Sequence, residues 1–145
     1  MASGITFKVE ENLEFSLKKK TAIRNWINMI LKREGKTSGS ISYFFCTDDY
    51  LLHINRQFLK HDFYTDIITF DYSEKTKVEG EIFISIERVK ENAHSFKQSF
   101  ERELMRTIIH GILHLCGYSD KTTADKKAMR TKEDEAIKLK TKATN

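Results

Sequence analysis

His110 and His114 stand four residues apart in the stretch H-G-I-L-H-L-C-G-Y-S-D, which runs from His110 to Asp120. Positions i and i+4 share one face of a helix, so two imidazoles there can hold a single ion. Gly117 follows where such a helix would end, because glycine enters the left-handed conformation without a Cβ penalty. Asp120 is the first ligand-type side chain after that turn. Two His and a third N or O donor form the ligand set of a catalytic zinc ion, with a fourth position left open; structural zinc is normally closed by four Cys-rich ligands. The expectation is one divalent ion per chain on His110, His114 and Asp120, zinc first, with iron or manganese also suited to two His and a carboxylate. Cys116, two residues from His114, points away from that face and is a poor fourth ligand.

The elements that must position these residues follow from hydrophobic periodicity. The run from Ser99 to Cys116 is rich in helix formers and carries the His pair. Ile23, Trp26, Ile27, Ile30 and Leu31 keep helical spacing, and Gly35 marks that helix's end. Strands are expected at Thr6–Val9, Ile41–Cys46, Ile67–Tyr72 and Gly80–Ile86, with Lys36–Ser40 and Ser73–Glu79 as loops. The short link between the last two strands suits an antiparallel pair. Asp48 or Asp49 is expected to cap a helix carrying Leu51, Leu52, Ile54 and Phe58. A helix over Glu87–His94 and a C-terminal helix complete the order β-α-β-α-β-β-α-α-α. That order predicts one α+β domain over residues 1–145, a small four-stranded mixed sheet packed with about five helices.

Composition narrows the function classes. The two cysteines, Cys46 and Cys116, are too few for a disulfide framework and fit a reducing, cytosolic setting. Neither a signal peptide nor a membrane span is legible. The formal charge of +4 permits nucleic acid without demanding it. Between Lys121 and Lys142 the basic residues outnumber the acidic by four, which reads as a solvated amphipathic helix with Ala128, Met129, Ala136, Ile137 and Leu139 as packing surface.

The spacing H-x-x-x-H-x-x-G-x-x-D also matches the metal frame of metzincin peptidases, but Gly111 stands where their catalytic Glu would be. The peptidase base is missing. Glu103, two turns before His110, reads equally well as a helix-surface charge, so no side chain is assigned as catalyst; the candidate reacting group is a water on the ion, and whether it or a hydroxyl of the substrate attacks is open.

The stretch from His110 resembles the motif H-G-x-L-H-L-x-G-Y-x-H of the YbeY family of bacterial endoribonucleases at every fixed position but the last. Leu52-His53-Ile54-Asn55, the run Tyr64-Thr65-Asp66-Ile67-Ile68-Thr69-Phe70 and Glu79-Gly80-Glu81-Ile82 are similar to further family segments. The resemblance implies a single-strand-specific, metal-dependent endoribonuclease acting in rRNA maturation (16S 3′ end processing) and ribosome quality control. It also implies zinc as cofactor, ribosomal RNA and ribosomal proteins as partners, and a cytoplasmic location.

Three departures qualify it. Asp120 replaces the usual third His and makes the ion a weaker Lewis acid. Tyr64 and Asp71 stand in place of two prolines. Leu59 replaces an Arg suited to gripping phosphate, which leaves its neighbours Arg56 and Lys60 as the candidate RNA contacts. His61 and Asp62 read as turn residues, and His53 and His94 as surface or packing. The alternative is a non-catalytic ribosome-maturation factor that binds RNA or protein, its metal largely structural.

Overall fold

The computed structural model describes residues 4–144, and side chains as far as residue 140. Its elements are β1 (Ile5–Val9), α1 (Lys20–Arg33), β2 (Thr37–Cys46), α2 (Asp48–Leu59), β3 (Ile67–Asp71), β4 (Lys77–Ser85), α3 (Ile86–Ser95), α4 (Phe100–Leu115) and α5 (Thr123–Thr144). The order and α+β class are those expected. The sheet order is β1-β2-β4-β3, with β1, β2 and β4 parallel and β3 antiparallel at the edge beside β4.

Alternation along the strands sorts side chains onto two faces. Ile41, Tyr43 and Phe45 of β2 join Val78, Ile82 and Ile84 of β4 in the main core, together with Trp26, Ile27 and Ile108 from the helices. On the other face Phe44, Phe70 and Phe83 pack with Leu51 and Ile54 of α2. Helix α4 lies against the main face and contributes Leu104, Met105, Ile108, Ile109 and Ile112 to it. It is fastened to the sheet by the buried Tyr43 hydroxyl, which donates to the Ile108 carbonyl at 2.8 Å. Removing that hydroxyl leaves its ring in place, so Tyr43→Phe should lower unfolding stability by about 1 kcal/mol, read from urea midpoints at constant slope.

Three local expectations are corrected. Strand β2 begins at Thr37, so Lys36–Ser40 is not a loop: Thr37 and Ser38 pair with Lys77 and Val78, and the register shifts before Ile41. A Cβ at Gly39 would sit 2.5 Å from Glu79 Cγ, and that Glu accepts from the Ser40 amide, so small residues there admit the irregularity rather than break the strand. The α2 cap is Thr47, whose hydroxyl accepts from the Tyr50 amide; Asp48 instead pairs with Arg88 at 2.6 Å. Helix α5 is more than a solvated face. Met129, Glu133, Ala136 and Ile137 are buried, Ala128 is exposed, and the Trp26 indole donates to the Ala136 carbonyl at 2.8 Å. Among the described residues no helix is long and apolar enough to cross a membrane.

Candidate metal centre

Helix α4 starts at Ser99, whose hydroxyl accepts from the Arg102 amide, and ends in a Schellman turn. There the Tyr118 amide donates to the Leu113 carbonyl and the Gly117 amide to the His114 carbonyl, both at 3.0 Å, with Gly117 at φ +105°. The turn also brings the Tyr118 carbonyl to 3.0 Å from His114 Nδ1. A carbonyl only accepts, so Nδ1 of His114 carries the proton and Nε2 presents its lone pair. His110 is set by another helix: its Nδ1 donates to Glu133 Oε2 of α5 at 2.6 Å.

The two Nε2 atoms then meet Asp120, whose Oδ2 lies 3.5 Å from His110 Nε2 and 3.3 Å from His114 Nε2. Bonds of 2.0–2.1 Å in a tetrahedral site imply donor–donor edges of about 3.3–3.4 Å, and the two edges that Asp120 makes with the His pair are close to that. One ligand atom from each lies within 4.8 Å of the others. Cys116 is not in this group; it packs on the main core, and burial pushes its thiol up to about 11.

An open cavity of about 390 Å³ extends from His110 and Asp120. Its lining includes the acids Asp66, Glu103 and Glu133, the cations Arg106, Lys126 and Arg130, and Phe96. Glu103 is buried rather than a helix-surface charge, and burial raises its pKa; burial likewise raises that of Asp66. Burial pulls the His110 imidazolium down, but Glu133, Asp66 and Asp120 outweigh it and leave the pKa raised. Arg106 closes the network with 2.9 Å to Glu133 Oε1 and 2.7 Å to Asp134.

Sequence reasoning missed Glu133 and Arg106. The signal available was an acid on the apolar stripe Met129, Glu133, Ala136, Ile137, where a solvated charge does not belong. Glu133 does two jobs as an acceptor, toward His110 and toward Arg106. Gln has one acceptor oxygen and must present its amide N–H groups to the other donor. Glu133→Gln should therefore weaken metal binding about 10- to 100-fold in competition with a chromophoric chelator.

Position 111 faces neither the cavity nor solvent. A Cβ there would sit 3.0 Å from Ile82 Cγ2 and 3.2 Å from Ile67 Cδ1, in the seam between α4 and the sheet. The missing peptidase base is thus explained by packing. Arg56 and Lys60 are both exposed and neither lines the cavity; Arg56 pairs with Asp62. His61 stacks on Phe63 at 5.1 Å, and His53 and His94 are exposed.

Fold and site together define a small α+β protein with a His/His/Asp cluster that could hold a metal ion at the edge of a charged, open cavity. A family model described as Endoribonuclease YbeY matches residues 6–140. The chain belongs to the YbeY endoribonuclease family. It is 51% identical over 135 residues to a protein named Endoribonuclease YbeY from Flavobacterium psychrophilum, covering 93% of this chain and 95% of the relative. A protein of the same name from Cytophaga hutchinsonii is 50% identical over 141 residues, covering 97% and 99%. A solution structure from Thermotoga maritima superposes with a TM-score of 0.65 at 27% identity, covering 94% of this chain and 88% of that one.

Proposed function

We propose that this chain is a metal-dependent endoribonuclease that cuts single-stranded RNA at the centre formed by His110, His114 and Asp120. The observation that carries the reading is the convergence of two oriented Nε2 atoms and one carboxylate oxygen beside a cavity with room for substrate. The bound ion, zinc in this reading, would supply Lewis acidity to a phosphodiester oxygen. His110 and His114 are held ready by Glu133 and by the Tyr118 carbonyl, so little reorganisation accompanies binding. Glu103 and Asp66, whose carboxyls burial makes easier to protonate, are the cavity groups suited to carry a proton.

The cavity's ionised side chains are four carboxylates against three Lys and Arg, and a divalent ion turns that balance to +1. The RNA backbone would then be attracted more strongly to the loaded site than to the empty one. Arg56 and Lys60 stay in the reading as contacts to flanking RNA, because the segment they border runs on to Asp66 at the cavity wall. Membership of the family supports ribosomal RNA, including the 16S 3′ end, as substrate, with ribosome quality control as the setting and ribosomal proteins as partners. Two unpaired thiols support a cytoplasmic location.

The test is a time course on end-labelled single-stranded and duplex RNA, before and after chelation and after restoring zinc, manganese or iron. A protein lacking one metal ligand, purified in parallel, controls for contaminating nucleases. Cleavage of the single strand that stops on chelation and returns with metal is the expected result. No cleavage with any of the three metals, or cleavage unaffected by exhaustive chelation, sinks the reading. A large chelation-induced loss of melting temperature without cleavage would instead indicate a binding factor with a structural ion.

A further inference from the structure

One wall of the cavity carries a residue that the metal chemistry does not use. Phe96 caps the C-terminal end of α3, is 55% exposed, and lines the same cavity as His110 and Asp120. Among the described residues it makes no stacking contact with another ring and no cation lies over it, unlike Phe100, which Lys90 covers, or Phe63, which stacks on His61. More than half of Phe96 is thus left uncovered by the protein beside a cavity of charged groups. Lys126 and Arg130 stand one turn apart on α5, line the same space, and lie within salt-bridge distance of no acid among the described residues.

An aromatic face beside two cations and a metal centre matches the chemistry of a nucleotide, which has a flat base, a ribose and a phosphate. Resting on the RNA reading above, we propose that Phe96 is the stacking platform of a nucleobase subsite, with Lys126 and Arg130 holding the adjoining phosphate. A phenyl ring has no hydrogen-bonding groups, so the subsite requires a base without choosing among the four. Duplex RNA keeps its bases stacked in pairs and cannot offer one to the ring, which gives single-strand preference a physical origin.

The probes are adenosine 5′-monophosphate and ribose 5-phosphate, which differ by the base alone and contain no bond for an endonuclease to cut. Calorimetry on the metal-loaded full chain should show wild type binding adenosine monophosphate about 5- to 150-fold more tightly. Phe96→Ala should abolish the difference, Phe96→Leu should not restore it, and Phe96→Tyr should. Trp26 is 1% exposed, so in Phe96→Trp the newly placed indole is the accessible fluorophore, and its emission should be quenched by adenosine monophosphate and not by ribose 5-phosphate. Equal affinity of wild type for the two probes, or a preference that survives in Phe96→Ala, overturns the proposal. The two readings fail separately: RNA cleaved by Phe96→Ala with unchanged KM removes the subsite and leaves the nuclease, whereas a base preference in a chain that cuts no RNA removes the nuclease and leaves the subsite.

Discussion

Replacing His114 with alanine is expected to strip the ion and RNA cleavage together, lowering metal content from one per chain to near zero and cleavage by more than about 100-fold. Changing an outer partner of a ligand already weakens such sites about 10- to 100-fold, and loss of a ligand removes a whole coordinate bond. Only His110 Nε2 and the Asp120 carboxylate would remain, and Asp120 has a side chain 45% exposed, so water competes freely for the ion. The fold should survive. His114 is half-buried and lies outside the hydrophobic core, and its hydrogen bond is to a carbonyl in the turn that ends its own helix. A stability loss of about 1 kcal/mol is expected from that bond. Metal content by atomic absorption, cleavage by gel and unfolding by urea separate these effects. A metal-free variant that cuts RNA at the wild-type rate would remove the centre from the mechanism.

Gly111→Glu should strongly destabilise the protein rather than turn it into a peptidase. The sequence frame invites the substitution, since it writes the H-E-x-x-H pattern of zinc peptidases. The structure opposes it, because the new Cβ would sit 3.0–3.2 Å from methyl groups of Ile82 and Ile67, which must give way, and the carboxylate would follow it into an apolar seam. Overpacking alone costs about 1–3 kcal/mol, and an unpaired carboxylate there adds several more or takes up a proton. A total loss of about 4 kcal/mol or more would appear as a large drop in urea midpoint, with no digestion of casein. Near-native stability together with casein digestion would show that α4 can rotate position 111 into the cavity.

The His pair, Gly117 and Asp120 were legible because local spacing on one helix and its terminal turn sets their geometry. Core strands and helices were legible for the same reason: Ile82 and Ile84, or Trp26 and Ile30, declare a face by period alone. Glu133 was hidden because it meets His110 across 23 residues and from a different helix, within a charged stretch that composition assigns to solvent. Arg106 and Glu103 were hidden by the same averaging. Arg106 finds its acids on α5, and Glu103 is buried by the packing of α4, neither of which local spacing reveals. The start of β2 was misjudged because Gly39 and the serines around it signal a loop, whereas the close approach of Glu79 is what calls for a residue without a side chain.

The dependence of His110 on Glu133 has a consequence for the order of events during synthesis. All three candidate metal donors have been translated once Asp120 is added, but Glu133, Lys126 and Arg130 belong to the next helix, which docks through Ala136 on Trp26. At 5–20 residues per second the stretch from Asp120 to Glu133 takes about one to three seconds to make. Throughout that interval the nascent chain has its ligands without the partner that orients His110 or the cations that line the cavity. Until α5 has folded back onto α1, His110 of the nascent chain lacks the carboxylate that orients it, and its hold on a metal ion is expected to be weaker by the same factor as in Glu133→Gln.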